Sequence, residues 1–282
     1  HRTVDAPGRP ALLGALRRDD RLTWRDRHLG LVPVAEQPDA VRRSLDALGT
    51  AVAERVDLAA VVALAATALP LVPARPVPLP PPGPPVRVAV AGGEAFTFTY
   101  ADTVDALIAG GAEVVLFDPL RDLRLPEDVD GLLVGGGFPE TYAAELAANR
   151  PLRDDAAGRI DGGLATWAEG GGLLWLSREL DGHPMAGVIP AVGRMTDRLT
   201  LGYRTAATTT ASPLGPPGTE FRGHEFHYSR LDPGGDALRL VARFGEGPEG
   251  FATPRLLATY VHHHPGGDPA AVTAFLAACR GR

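Results

Sequence analysis

The chain has 282 residues, 45% hydrophobic and 22% charged, a makeup that excludes a fibre or a disordered tail, and no apolar run approaches the roughly 18 residues a membrane span needs. Its net charge is −6 and all 28 basic residues are arginine, so a phosphate-loop lysine, a Schiff-base lysine and a lysine general base are all excluded. The acidic balance and the scatter of the arginines argue against nucleic acid as a partner.

In chain order, ALLGAL (11–16) and HLGLVP (28–33) are short apolar runs bounded by Gly and Pro, the pattern of buried strands or their exits. Apolar residues at helical spacing from Val41 through Leu64 predict two helices within 37–69. Nine of the sixteen positions in 70–85 are proline, which predicts an extended, semi-rigid connector. The 69 residues before it are few for an independent domain and are expected to pack against something. After the connector the text alternates short apolar runs with helical ones, the sign of a parallel sheet with crossover helices. Strands are predicted at 86–91, 113–117, 130–137 and 164–168, with helices at 101–110 and over 139–160. The fourth strand runs into Gly170, Gly171 and Gly172 and then an amphipathic helix, LLWLSREL. Strand-like runs fill 196–262, and a last helix covers 268–279. One cysteine, Cys279, excludes an internal disulfide framework and fits a reducing compartment. The text after His1 has no basic region followed by an apolar one. A cytoplasmic location is the expectation.

Ligands of open α/β sheets bind at the carboxyl ends of strands, which draws attention to Gly135–Glu140, Ala168–Gly172 and His262–His264. The GGGFPE run has the glycines of a backbone nest for an anion or oxyanion, although the same text also serves as a plain tight turn. AEGGG sits in the strand–turn–helix context of a nucleophile elbow, but its tip is Gly170, which has no hydroxyl or thiol. In TYVHHH, strand alternation puts His262 and His264 on one face and His263 on the other. His224 and His227, with Glu225, extend this to an imaginable four-imidazole metal cluster; the spacing matches no tight metal signature, and no metal is expected. Cys279 shares a helical face with Val272, Phe275 and Leu276, which reads as a buried small apolar residue rather than a nucleophile.

Together, VRVAVAGGEAFTFTY, GLLVGGGFPE, AEGGGLLWL, MTDRLTLGYR, RGHEFHYS and TYVHHH resemble the glutamine amidotransferase domain of the cobyrinic and hydrogenobyrinic acid a,c-diamide synthases. The resemblance implies a class I glutamine amidotransferase-like, flavodoxin-like fold over 86–282, a mostly parallel sheet with helices on both faces. LLGALRRDD and RHLGLVPVAE are similar to the close of that family's ATP-dependent synthetase domain, so 1–69 reads as its C-terminal remnant, with the phosphate loop upstream. The family resemblance implies ATP and Mg²⁺ as cofactors of the whole enzyme, none of them expected on this portion. It implies glutamine or ammonia and a corrin acid as substrates, with the synthetase region and a second copy of the chain as partners. A cysteine attacks the amide carbon of glutamine, a histidine takes its proton and backbone N–H groups hold the oxyanion.

Carried over by motif, His262 is the base, and His264 stands two residues on, where related amidotransferases carry an orienting carboxylate. Backbone groups at Gly136, Gly137 and Gly171 would contact the oxyanion and the glutamine. The family's AECGG is written AEGGG here, so the place of the nucleophile is Gly170. Glutamine hydrolysis is expected to be lost while the fold survives. Three readings follow: a ligase portion that works on free ammonia, a non-catalytic module that binds glutamine or scaffolds a partner, and a metal-dependent hydrolase built on the histidines.

Overall fold

The computed structural model describes residues 10–19, 22, 38–71, 82–243 and 245–281. Its contacts divide the chain into two units, His1–Pro76 and Val77–Arg282. Residues 72–81 of the proline-rich connector and the run HLGLVP lie outside the described residues.

The first unit contains the two helices the spacing predicts, α1 (Pro38–Arg55) and α2 (Leu58–Ala65). Asp57 starts α2, its carboxylate accepting from the Ala60 N–H at 2.9 Å, which satisfies one of the free donors of a helix start. ALLGAL is not the buried strand expected of it. A single bridge joins Gly14 to Val56, and Leu12 and Leu16 are each 47% exposed, because no further strand pairs with this run among the described residues. Of the apolar stripe on the helices, Val41 and Ala51 are buried, whereas Leu45, Leu48, Val62 and Leu64 face solvent.

The second unit is built on a six-stranded sheet. Strand β1 (Val86–Ala91) pairs in parallel with β2 (Ala112–Phe117) on one side and β3 (Gly131–Val134) on the other. Helix α3 (Ala101–Ala109) makes the first crossover; α4 (Ala143–Ala148) and α5 (Arg150–Asp161) make the next, leading to β4 (Ala165–Glu169) beside β3. β4 ends in a glycine turn and helix α6 (Gly171–Leu176). The expected amphipathic LLWLSREL is cut short: all six residues of α6 are buried, Ser177 leaves the helix with extended dihedrals, and Glu179–Leu180 form strand β5. A segment with no polar face cannot lie on a surface, and α6 is an interior turn of helix rather than a crossover.

A second sheet follows, largely antiparallel. β5 pairs with β6 (His183–Pro184) and with β7 (Val192–Thr208), which pairs with β8 (Glu220–Asp232) and β9 (Leu238–Ala242); β10 (Gly245–Glu249) closes the far edge. The chain then returns to the first sheet with β11 (Phe251–Thr253) and β12 (Leu256–Thr259), the latter parallel to β4, giving the order β11-β12-β4-β3-β1-β2. Two residues later β13 (His262–His263) crosses to the second sheet and pairs with β8. Helix α7 (Pro269–Arg280) ends the fold, capped by Asp268 on the Ala270 N–H and started by Pro269. The parallel strands alternate between two cores. Val86, Val88 and Val90 face α3 and α7 through Leu107, Val272 and Phe275, while Ala89 and Ala91 face α4, α5 and α6 through Leu146, Leu152 and Leu173. Helices therefore cover both faces, as a parallel sheet requires.

Candidate active site

The carboxyl ends of β3, β4 and β12 lie side by side, since Val134 pairs with Ala168 and Glu169 with Thr259. That register brings Gly135–Gly137, Gly170–Gly172 and the residues after Thr259 together at one edge of the sheet. The turns are tied to each other through backbone: Gly170 N–H donates to Thr259 at 2.8 Å and Gly172 N–H to Gly135 at 3.0 Å.

Gly170 has φ 52° and ψ −106°, a combination that L side chains adopt only under strain. The position has the geometry of an elbow, and a Cβ built on it would point straight at the imidazole of His262, 2.6 Å from both Nε2 and Cε1. The sequence thus places a glycine where the backbone aims a side chain at a histidine. Gly137 is a glycine for a different reason: a Cβ there would lie 2.0 Å from the Ala95 carbonyl, so the loop after β1 could not pass. The two turns approach closely, the Gly171 Cβ direction ending 3.0 Å from the Gly137 nitrogen. Among the described residues neither Gly137 nor Gly171 donates its N–H to a backbone carbonyl, which leaves two free donors beside the elbow. Gly136, expected to be a third, donates to Phe98 at 3.3 Å and is committed to holding the β1 loop.

His262 reaches the elbow from β13. Its Nδ1 lies 3.8 Å from Oε2 of Glu169, the residue before Gly170, and its ring stacks on His224, centroids 5.2 Å apart at 25°. Glu169 is buried, with Oε1 accepting from Trp167 Nε1 at 2.9 Å and His263 N–H at 3.0 Å. Burial pushes its carboxyl up, and these two donors pull the other way. Burial, with the neighbouring His224 and His227, pushes His262 down to about 4, so its imidazole is neutral at physiological pH. Nothing in the residue spacing pointed to Glu169; the signal for it is adjacency to the elbow on a strand all of whose residues are buried.

The other predicted residues are dispersed. His264 does not turn toward His262: it is 44% exposed at the side chain, its Nε2 is 3.4 Å from Asp102 of α3, and its ring packs edge-on against Tyr100. Strand pairing ends at His263, so the alternation that put His262 and His264 on one face stops one residue short. His227 stacks on Tyr260 with centroids 3.8 Å apart and faces Glu225, which is also held by Arg204. Of the predicted histidines, His224 stacks on His262 and His227 acts on it electrostatically, whereas His264 is turned away. Among the described residues no three His, Cys, Asp or Glu side chains gather to hold a metal ion. His263 is fully buried against Trp167 and Phe221, with its Nε2 3.8 Å from Asp268 Oδ2. Cys279 is 1% exposed in the core beneath α7, where burial pushes its thiol up to about 12. No helix among the described residues is long and apolar enough to cross a membrane.

The arrangement brings a neutral imidazole, two free backbone N–H donors and a glycine elbow together at one edge of the sheet. Residues 87–270 match the family model of the CobB/CobQ-like glutamine amidotransferase domain. The chain belongs to this family. It is 43% identical, over 98% of its length, to the hydrogenobyrinate a,c-diamide synthase of Streptomyces coelicolor, and 40% identical, over 95%, to the cobyrinate a,c-diamide synthase of a Synechococcus strain. It spans 64% and 61% of the length of these curated relatives. Among solved structures, a chain of PurLQS from Thermotoga maritima superposes with a TM-score of 0.50 at 15% identity, covering 69% of this chain and 98% of that one. That likeness is one of fold, and the fold is that of the class I glutamine amidotransferases.

Proposed function

We propose that these residues are the C-terminal portion of an ATP- and glutamine-dependent ligase that converts the a and c carboxylates of cobyrinic or hydrogenobyrinic acid to amides, working in the cytoplasm. The observation that carries the reading is the Gly170 backbone, which aims its missing side chain at His262 Nε2 while the Gly137 and Gly171 N–H groups flank it. With a thiol at that point, His262 would take its proton, the thiolate would attack the amide carbon of glutamine, and the two N–H groups would hold the oxyanion. Without it the step has no nucleophile, and the ligase takes its nitrogen from free ammonia. Cys279 cannot stand in, because it is buried in the core on α7 with its thiol held protonated.

Residues 1–69 read as part of the synthetase domain. The exposed leucines and valines of α1 and α2 support this, since an apolar stripe left in water marks a surface meant for further chain. ATP and Mg²⁺ would supply an acyl phosphate on each corrin carboxylate in the whole enzyme. The present residues do not fit that cofactor: with no lysine in the sequence they contain no phosphate-loop lysine, and no step is assigned to it here.

The test uses the whole enzyme with ATP, Mg²⁺ and a corrin acid. Amidated corrin is expected with ammonium and none with glutamine as sole nitrogen donor. No product with ammonium would overturn the ligase reading, and product with glutamine would overturn the loss of glutaminase chemistry. Glutamine binding without turnover in titration calorimetry, together with no ammonium-dependent product, would establish the module as a non-catalytic binder.

A further inference from the structure

The base of this site needs a group that fixes its ring, and the residue expected there by spacing, His264, is engaged elsewhere. Resting on the glutaminase reading of the site, we propose that Glu169 is the positioning residue of His262, holding the Nδ1 side of the imidazole so that Nε2 is turned to the elbow.

Four observations converge on this. Glu169 Oε2 is the carboxylate oxygen facing His262 Nδ1, at 3.8 Å, in a site where the elbow direction at Gly170 meets the opposite nitrogen, Nε2. The separation is longer than a hydrogen bond, as catalytic contacts are in sites without a bound substrate. The carboxylate cannot rotate freely, because its other oxygen is held by Trp167 Nε1 and the His263 N–H. One of those donors is the backbone of the residue after His262, so the same carboxyl group fixes both the strand that carries the base and the ring itself. The opposite ring face is closed by His224, which leaves the imidazole little freedom besides sliding toward or away from the elbow. Sequence order makes the coupling tight: elbow and positioning carboxylate are consecutive residues, so a shift of one moves the other.

In its ionised form the Glu169 carboxyl does two things. It keeps the proton of the neutral ring on Nδ1, which leaves Nε2 able to accept, and it offsets the positive charge once Nε2 has accepted. An amide in its place would present an N–H₂ group to Nδ1 and drive the ring proton onto Nε2, the atom that has to be free.

Two experiments decide it, the first with no turnover required. In the unmodified 282-residue chain, ¹⁵N shifts of the histidine rings report which nitrogen of His262 carries the proton and the pH at which the ring charges. Glu169→Gln is expected to move both, whereas His264→Ala is expected to move neither. His224, His227 and Glu225 also face this ring, and each stays in place in both variants. An unchanged His262 tautomer and titration in Glu169→Gln would overturn the proposal, as would a change of the same size in His264→Ala. Glu169→Asp, which keeps the charge, is the second variant: its His262 titration should lie nearer that of the unmodified chain than the Gln variant's does.

The second experiment places these changes on Gly170→Cys. Glutaminase turnover is expected in Gly170→Cys, with kcat falling at least about 10-fold on adding Glu169→Gln at unchanged KM, and no such fall on adding His264→Ala. Equal kcat with and without the Gln change would overturn the positioning role. An inactive Gly170→Cys would instead sink the glutaminase reading, while the ring titration would still answer for Glu169.

Discussion

Gly170 is the residue on which the site turns. Its dihedrals would burden any side chain by on the order of 1–3 kcal/mol, and the Cβ would meet the end of the His262 ring besides. Gly170→Ala is therefore expected to lower the free energy of unfolding by about 1–3 kcal/mol in a urea titration, with no loss of secondary structure. Gly170→Cys should show a similar loss of stability together with a gain of ammonia release from glutamine, and adding His262→Ala should abolish the release. Stability lost with no activity gained would overturn the glutaminase reading of the elbow. That Gly170 is a glycine where the resemblance implies a cysteine was legible in the sequence. Its backbone strain and the crowding at His262 were not, since both depend on how β4 and β13 meet in space. Glu169 went unread for a related reason: a lone acid before a glycine run has no periodicity, and only three-dimensional packing reveals the groups it touches.

At the scale of elements, a strand carrying buried acid groups gives the protein a distinctive pH response. Glu249 accepts from the Thr259 hydroxyl at 2.6 Å and the Tyr260 N–H at 2.8 Å, fixing the segment that leads into His262, and burial raises its carboxyl to about 8. Glu249 keeps a proton in the folded chain that the unfolded chain has lost, from the ordinary carboxylate range up to about pH 8, so stability falls as pH rises through that window. His262 and His263, both lowered to about 4, act in the opposite sense between that value and about 6.5, where the unfolded chain binds the extra proton. The two effects oppose each other below about pH 6.5, and above it Glu249 acts alone. Chemical denaturation across pH 6.5 to 8 is expected to show declining stability, with a shallower decline in Glu249→Gln, which mimics the protonated acid. A slope unaltered by the substitution would mean that Glu249 is ionised in the native protein. Strands β1 and β2 and helices α3 and α7 fall within two residues of where the apolar pattern placed them, because each runs to a clear stop. ALLGAL and LLWLSREL were misjudged because an apolar run states that a segment is buried and not by what.

The whole molecule consists of two units, and the second contains both core clusters and every residue of the site. A chain starting at Val77 is expected to unfold as one cooperative transition with the His262 titration of the longer chain. Loss of that transition would show that residues 1–76 are needed for the amidotransferase unit to fold. The parallel sheet was visible in the sequence from the alternation of strands and helices; the second sheet appeared there merely as a list of strand-like runs, since its pairings join residues far apart in the chain.

The crossing made between Thr259 and His262 has one more consequence. The elbow belongs to the six-stranded sheet and the base to the seven-stranded one, so the centre is a joint between two bodies rather than a pocket cut into one. Its alignment depends on how the sheets seat against each other, and the buried ring of His263, wedged between Trp167 of one sheet and Phe221 of the other, is the pin at that joint. Any partner that tilts one sheet on the other by a fraction of an ångström would open or close the gap between elbow and imidazole without touching either residue.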